Sequence, residues 1–434
     1  MKTKIIFGFI LLLLVSSCKD DENQILVLHA PQQVDNTIIL NWEEANVSGF
    51  QYYMVMRSSD QKRYDVINDI VTPTSDAFRK DITTFEDNTY PLGAATLYYK
   101  IMAIGDETVS SQNLCYWIEH PAILLKGGIR DMYYIKGTNK FSVLLEDNSN
   151  YRMSKLKTFD LRSGQFSSIE ENIDGYSLSS SWYFWGEYNG KTEFYNYNGW
   201  DYTLTVYDAT TFQSLLSVNN STIRNNPSTC NNRGVIYSYS GYFGLYMTDR
   251  ATGSYTRYQT TNYVAPSRLY YNSKDLKLYA VDYINRRQIH TFNLDEQGNV
   301  SGEEIYDLPG VYSSPLYIEN SSLFVISTNS GVKILDMDTK TLHNPDLTQV
   351  SNFVPNCALL HNDILYVSGP NEGIISISNN PRIYPIYQLS VGDFKMIKTT
   401  PVRVAPMKFF MDGEYLYFFG QYGYEEYLLD KIKL

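Results

Sequence analysis

Residues 278–298 read LYAVDYINRRQIHTFNLDEQG and contain the unit that decides the fold. A strand-forming run, Leu278–Phe292, in which apolar residues alternate with polar ones, is followed at once by an acidic turn, Asn293–Gly298. In a tight hairpin an aspartate caps its own turn and a glycine supplies the positive φ that the backbone needs. The stretch therefore predicts antiparallel strands joined by short hairpins.

Similar acidic turns recur along the chain, at Phe159–Gly164, Val206–Thr210, Thr248–Gly253 and Leu335–Lys340. Successive spacings are 48, 41, 45 and 42 residues when the equivalent positions are Asp160, Asp208, Asp249, Leu294 and Asp336. Weaker equivalents are expected near Ser378 and Asp430. A period of about 40 to 50 residues is typical of propellers and solenoids, and a propeller blade has four strands. The 314 residues from Pro121 to Leu434 thus predict a seven-bladed β-propeller over 121–434, with six or eight blades as the alternatives.

Closure of the ring can also be predicted from the topology. A strand at Ile123–Lys126 is expected to join the last blade, within Glu414–Leu434, because a propeller closes by combining strands from both ends of its array. The run Leu278–Phe292 resembles the repeat of gluconolactonase-like and NHL-type propellers. That resemblance covers one blade and implies the fold without a catalytic set.

A smaller all-β domain precedes the repeats, over 25–118. Apolar and polar side chains alternate in its strands, as in Ile38–Trp42, Tyr53–Arg57 and Tyr99–Ala103. Such alternation over about 95 residues suits a β-sandwich. The runs Ile39–Trp42, Tyr52–Ser58 and Tyr98–Ala103 resemble the second, third and sixth strands of a fibronectin type III or related immunoglobulin-like module, although Leu97 stands where that family has its corner tyrosine. The resemblance implies a spacer or docking unit.

The N-terminus has the three parts of an export signal in residues 1–17. Lys2 and Lys4 precede the apolar run Ile5–Val15, which is too short to span a bilayer core of about 30 Å as a helix. Leu14–Cys18 resembles a lipobox, which implies cleavage before Cys18 and acylation, for example by palmitate, of that cysteine. Several acyl chains on one residue give lasting membrane anchorage, whereas a single chain gives marginal binding.

A charged segment follows the cysteine within the tether 18–24, and consists of Lys19, Asp20, Asp21 and Glu22. It resembles the lipoprotein export signal of Bacteroidota, which implies an outer-membrane lipoprotein facing the cell exterior. The other interpretation of these residues is a solvated tether.

Charge and composition exclude several classes of function. The chain carries a net charge of −11, or −13 without Lys2 and Lys4, which argues against nucleic acid and anionic lipid as partners. Cys115, Cys230 and Cys357 are widely spaced and the histidines form no HExxH motif. The sequence therefore predicts neither a metal site nor a cofactor.

Candidate ligand-binding residues come from two aromatic segments, 182–202 and 239–244, in which rings alternate with Asn and Gly. Aromatic rings beside loop amides can stack on sugar faces or peptide side chains. The core interpretation is preferred for Trp182, Phe184 and Phe194. The candidates for ligand contact are Trp185, Tyr197, Trp200, Tyr239 and Tyr242.

These features together predict a surface lipoprotein with a non-enzymatic role in binding or assembly. Its architecture looks like that of accessory lipoproteins of SusC/SusD-type importers, which implies the transporter components and a glycan or peptide as partners in nutrient uptake. The alternative is a propeller-fold hydrolase or lyase acting on surface polysaccharide. It would need two facing carboxylates at glycosidase distance, and the sequence offers Glu187, Asp201, Asp282 and Glu372 for that role.

Overall fold

In the computed structural model of this chain, the described residues are 26–34, 37–87, 89–90, 96–117, 122–146, 153–161, 164–174, 182–198, 202–219, 228–240, 244–261, 266–284, 286–308, 310–311, 313–347, 354–369, 384–423 and 426–434. Two compact units divide the chain, Met1–Pro121 and Ala122–Leu434. Cys18 and the charged residues Lys19, Asp20, Asp21 and Glu22 lie outside the described residues. Lipidation and export therefore stay predictions.

Strands make up the first unit, together with a short 3₁₀ helix at Asp76–Phe78. The strands are β1 (Gln32–Val34), β2 (Thr37–Asn41), β3 (Tyr52–Ser58), β4 (Asp65–Val66), β5 (Thr84–Asp87), β6 (Thr96–Ile104), β7 (Thr108–Ser110) and β8 (Leu114–Trp117). One antiparallel sheet has the order β1-β2-β5, and the other has the order β4-β3-β6-β7, with β8 also paired to β6.

The two sheets of the first unit share one apolar core. Side chains along β6 alternate strictly between buried and half-buried, so Leu97, Tyr99, Ile101 and Ala103 all lie in that core. Ile38 and Leu40 of β2 enter it from the other sheet. The period-two pattern in the sequence is thereby confirmed as core alternation.

Seven four-stranded antiparallel sheets form the described part of the second unit. Six are built from consecutive strands: β10 (Ile129–Ile135), β11 (Lys140–Glu146), β12 (Met153–Asp160) and β13 (Gln165–Asp174); β14 (Trp182–Tyr188), β15 (Lys191–Asn198), β16 (Thr203–Asp208) and β17 (Ser214–Asn219); β18 (Ser228–Cys230), β19 (Val235–Ser240), β20 (Gly244–Asp249) and β21 (Tyr255–Tyr258); β22 (Arg268–Asn272), β23 (Lys277–Asp282), β24 (Gln288–Leu294) and β25 (Val300–Asp307); β26 (Leu316–Tyr317), β27 (Leu323–Thr328), β28 (Gly331–Asp336) and β29 (Thr341–His343); β30 (Cys357–His361), β31 (Ile364–Ser368), β32 (Tyr384–Ser390) and β33 (Met396–Val402). The seventh consists of β34 (Lys408–Asp412), β35 (Tyr415–Gly423), β36 (Glu426–Lys433) and β9 (Ile123–Lys126).

This succession of sheets is β-propeller-like, and the all-β prediction is confirmed. The seventh sheet combines both ends of the unit, because β9 pairs antiparallel with β36 from Glu426↔Lys126 to Leu429↔Ile123. The predicted closing strand therefore lies where the topology required it.

The acidic turns of the sequence lie between the third and fourth strands of their sheets. Asp208 Oδ1 accepts hydrogen bonds from the backbone N–H groups of Thr210 and Thr211, both at 2.8 Å. In the same way Asp295 Oδ1 accepts from the N–H of Gln297 at 2.9 Å, and Gly298 has a φ of 89°. The turn chemistry that the repeat predicted is thus present.

The two weakest members of the repeat were misplaced. Ser378 lies outside the described residues, and the sixth sheet makes its acidic turn at Ser390–Lys395, where Asp393 accepts from the N–H of Lys395. Asp430 lies within β36 rather than in a turn. The last sheet takes its fourth strand from the start of the unit, so no hairpin follows β36 to carry an acidic turn.

Candidate functional site

A cavity of about 750 Å³ lies within the second unit and is lined by the first strand of every sheet. The strands β10, β14, β18, β22, β26, β30 and β34 contribute, in that order, Tyr133, Trp185, Cys230, Tyr270, Tyr317, Cys357 and Lys408. We call this space the channel cavity. Its size lies within the usual range for ligand pockets, about 300 to 1,000 Å³.

One aromatic wall of the channel cavity is formed by β10 and β14. The rings of Tyr133 and Trp185 are stacked, with centroids 6.0 Å apart and planes at 8°. The indole Nε1 of Trp185 donates a hydrogen bond of 2.9 Å to Ser142 Oγ, so its orientation is held. Lys408 Nζ lies 5.6 Å from the centre of the same ring, at cation–π distance.

A second aromatic pair lies on β22 and β26. The rings of Tyr270 and Tyr317 are stacked, with centroids 4.8 Å apart. Tyr279, a fully buried residue of β23, supports Tyr317 from behind at 5.7 Å. Ring faces on separate strands are thus held by packing before any ligand arrives.

Charged groups of both signs line the channel cavity. Lys408 Nζ lies 2.7 Å from Asp131 Oδ1 and also donates to the carbonyl oxygen of Met132 at 2.8 Å. Lys136 Nζ lies 3.3 Å from Glu187 Oε1. Arg268 and Glu319 also line the cavity, both are exposed, and neither has an ion pair or hydrogen bond among the described residues.

Tyrosine hydroxyls report the electrostatics of this region. Burial raises the pKa of Tyr133 far above its ordinary value, and the negative charges of Glu319 and Glu187 raise it further. Burial and the charge of Asp131 raise the pKa of Tyr183 to about 12, while Arg130 and Arg268 act in the opposite direction. Both phenols therefore stay neutral donors at physiological pH.

The predicted ligand-contact residues divide into three groups. Trp185 lies in the channel cavity, where its contact with a ligand stays a prediction. Trp200 and Tyr242 lie outside the described residues. Tyr197 and Tyr239 are core residues, exposed by 2% and 0%, and the Tyr239 hydroxyl donates to Thr260 Oγ1 at 3.1 Å.

The choice of Tyr197 and Tyr239 was wrong because both belong to second strands, β15 and β19. Five consecutive residues of β15, Glu193–Tyr197, are buried, which is the pattern of a strand covered on both faces. Phe194 is fully buried there, in agreement with the core interpretation. Aromatic content alone does not distinguish such a strand from a binding loop.

Sequence reasoning missed most of the cavity lining. Tyr133, Tyr270, Tyr317, Arg268 and Lys408 come from four sheets and form no local cluster in the chain. These residues share one property in the sequence, since each lies on or next to the first strand of its repeat. That property can be recognised only when the repeats are aligned by their strands rather than by their turns.

Two of the four carboxylates proposed for catalysis lie within the described residues. Glu187 is bound to Lys136, and Asp282 is fully buried, 3.5 Å from the N–H of Arg286. Asp201 and Glu372 lie outside the described residues. Among the residues that are described, no group of three or more His, Cys, Asp or Glu side chains could hold a metal ion.

Comparisons with known proteins find matches among solved structures alone. No family model matches the chain, and no curated protein matches it. A chain in a solved structure titled "Crystal Structure of Mitotic Checkpoint Complex" is similar at a TM-score of 0.45 and 12% identity, over 72% of this chain and 91% of that chain. Within the described residues no helix has the length and apolar character needed to cross a bilayer.

Proposed function

We propose that this protein is a lipoprotein of the outer-membrane surface that binds a glycan or peptide without transforming it, as an accessory to a SusC/SusD-type importer. The lipobox-like Leu14–Cys18 and the charged residues after it support the anchorage. The first unit is a fibronectin type III-like spacer in this proposal. The second is a seven-bladed β-propeller that carries the binding site.

The observation that carries the binding role is the channel cavity. Its walls hold stacked aromatic pairs, Tyr133–Trp185 and Tyr270–Tyr317, on strands of separate sheets. Ring faces together with a few polar groups are what a site for sugars or peptides uses. Packing already holds these rings in place, which supports the proposal because a ligand would not have to order them.

A second feature favours binding over hydrolysis. The channel carboxylates Asp131 and Glu187 each lie against a lysine, Lys408 and Lys136. A glycosidase needs two carboxyl groups that face each other across the bound sugar and contact it directly. Asp131 and Glu187 contact lysines instead, which favours a binding role.

Native lipoprotein extracted in detergent from its own membranes provides the test. We expect it to co-purify with importer components and to retain members of a glycan and peptide panel without cleaving them. The variant Ser314→Trp, at an exposed position of the cavity lining, should weaken retention because the indole occupies part of the space that the ligand needs. Ser301→Trp, on the exposed face of β25, is the matched control and should retain the ligand.

Two results would contradict the proposal. Cleavage of a glycan that is lost in Glu187→Gln would make the protein a hydrolase or lyase. Equal retention by Ser314→Trp and the parent would place binding outside the channel cavity.

A further inference from the structure

The charges of the channel cavity leave one cation and one anion unused. Three acidic and three basic residues line it, and two of each are already joined, as Asp131–Lys408 and Glu187–Lys136. Arg268 and Glu319 remain, without an ion pair or hydrogen bond among the described residues. A cavity built this way complements a ligand that carries one charge of each sign.

Arg268 and Glu319 act on different tyrosines of the lining region. The charge of Arg268 acts on the Tyr183 hydroxyl, as do those of Arg130 and Asp131. Glu319 acts instead on the Tyr133 hydroxyl, as does Glu187. Arg268 is the first residue of β22, and Asn272, the last residue of that strand, donates a hydrogen bond of 3.0 Å to the carbonyl oxygen of Ser321, in the turn that carries Glu319. Arg268 and the turn with Glu319 are therefore separated by about 13 Å along β22, at about 3.3 Å per residue.

Aromatic faces occupy the space between these charged groups. Trp185 lies midway between Tyr183 and Glu187 on β14, and its side chain points to the same side of the strand as theirs, since side chains alternate along a strand. On the other wall, Tyr270 follows Arg268 by two residues and stacks on Tyr317, which precedes Glu319 by two. The wall of β22 and β26 thus runs from Arg268 across two rings to Glu319, and the wall of β14 runs from Tyr183 across Trp185 to the charge of Glu187.

We propose that the channel cavity binds a short peptide with two free termini, its carboxylate at Arg268, its ammonium at Glu319 and its side chains against the aromatic pairs. This inference rests on the binding role proposed above and specifies its ligand. About four extended residues, at about 3.3 to 3.6 Å each, span the distance between the two charges. The guanidinium of Arg268 can hold a carboxylate with two parallel hydrogen bonds.

The same charges disfavour a glycan. A neutral sugar leaves both Arg268 and Glu319 unused, and a polyuronate finds one cation, Arg268, without an ion pair among the described residues and also meets the carboxylate of Glu319. Like charges brought together in a cavity oppose binding.

Calorimetric titration of the full-length lipoprotein in detergent tests this assignment. The probes are tetra-alanine with free termini, its C-terminal amide, its N-acetyl derivative, the doubly blocked peptide, maltotetraose and a galacturonate tetramer. We expect the free peptide to bind, and each blocked terminus to weaken binding about ten- to hundred-fold, because a hydrogen bond to a charged group is lost.

Substitutions should reproduce these losses selectively. Arg268→Gln should weaken binding of the free peptide about ten-fold or more and leave the affinity for the C-terminal amide unchanged. Glu319→Gln should weaken binding of the free peptide by the same factor and leave the affinity for the N-acetyl derivative unchanged. Arg257→Gln on β21 and Glu304→Gln on β25 remove exposed charges outside the lining and should change nothing. A general change in fold would weaken binding of all the peptides alike, and would not make each substitution affect only the peptides that carry one particular free terminus.

Each contrary result overturns the peptide assignment. Equal binding of free and doubly blocked peptides would show that the termini are not recognised. Binding of a tetrasaccharide, sensitive to Ser314→Trp, with no peptide binding would replace the ligand class and leave the binding role standing. If no probe binds, the peptide assignment fails, and retention from the native membrane decides the binding role separately.

Discussion

Arg250 and Arg268 show two uses of the same side chain in the second unit. Arg250 lies between the second and third sheets, where Nε and Nη2 contact the two oxygens of the buried Glu193 at 2.8 and 2.6 Å. Tyr195 donates to the same carboxylate at 2.7 Å, and Arg250 Cζ lies 4.5 Å above the ring of Tyr188. Arg268 lines the channel cavity, exposed and without an ion pair among the described residues.

The comparison separates charges that stabilise the fold from charges that are available to the ligand proposed above. A bidentate, buried ion pair stabilises one packing of two sheets, because removing either residue leaves the charge of the other buried and unpaired. A cation left in an open cavity adds little to stability and can give its hydrogen bonds to a ligand. The first unit repeats the former pattern, since Asp87 accepts from Arg57 at 2.6 Å and from the Tyr99 hydroxyl at 2.6 Å.

The largest expected effect comes from removing the buried ion pair between the second and third sheets. Arg250→Met should lower the free energy of unfolding by about 3 to 5 kcal/mol, because Glu193 is left buried and uncompensated. Urea unfolding followed by circular dichroism measures it. Arg268→Met is the matched control and should change stability by less than about 0.5 kcal/mol; equal losses would end the distinction between the two arginines.

A steric test probes how closely the channel wall is packed. A Cβ added at Gly186 of β14 would lie 2.1 Å from Cys230 Sγ, so Gly186→Ala should cost about 1 to 3 kcal/mol of stability. In the double variant with Cys230→Ala, the nearest remaining atoms are Tyr195 Cε2 at 3.4 Å and the Cβ of residue 230 at 3.8 Å. Thermal unfolding should show most of the loss restored, and a loss unchanged in the double variant would contradict the packing.

A pH test concerns a buried residue of the fourth sheet. Burial lowers the pKa of His290, against the opposing effects of Glu303, whose Oε1 lies 3.2 Å from Nδ1, and of Asp282; Arg286 adds to the lowering. The unfolded chain therefore binds the proton more readily than the folded one. His290 contributes stability that is full above the unfolded pKa of about 6.5 and is lost as pH falls through the folded pKa, at about 1.4 kcal/mol per unit of difference.

The measurement is urea unfolding at pH 7.5, 6.5 and 5.5. His290→Gln should flatten the loss of stability at low pH, whereas His361→Gln, at a half-exposed position of β30, should leave it unchanged. An identical pH profile in His290→Gln and the parent would remove His290 as the cause.

The smallest expected effect lies in the channel itself. The Lys136 and Glu187 side chains are 66% and 38% exposed, so Lys136→Gln should change the free energy of unfolding by no more than about 0.5 kcal/mol. Urea unfolding in low salt checks this value. A loss of stability close to that of Arg250→Met would mean that the charges in the channel cavity also stabilise the fold.

Much of the fold could be predicted because it depends on interactions between residues that are close together in the chain. The aspartates at Asp208 and Asp295 make the hydrogen bonds of their own turns, so their spacing along the chain marks the repeating sheets directly. The closing pair of β9 and β36 followed from topology alone. The misplacement of Asp430 has the same origin, since the last sheet is completed by a strand from elsewhere and lacks the turn that marks the others.

Two lining residues of the candidate site were named from the sequence, Trp185 as a ligand contact and Glu187 as a carboxylate for the alternative catalytic role. Tyr197 and Tyr239 have the same aromatic, loop-flanked sequence context, yet burial on both faces of a second strand removes them from any ligand. Local sequence does not specify which strand of a sheet faces a channel, because all strands of a repeat carry apolar alternation.

The sequence by itself determined the all-β class, the repeat with its acidic turns, and the alternation that builds the first unit's core, because each depends on residues close together in the chain. Tertiary structure alone decided which aromatics line the channel cavity and which charges meet there. Tyr133, Trp185, Tyr270 and Tyr317 come from four sheets, and lysines from other strands contact two of the lining carboxylates, whereas Arg268 and Glu319 have no ion pair among the described residues. Such neighbours are set by the packing of whole sheets, which no single segment encodes.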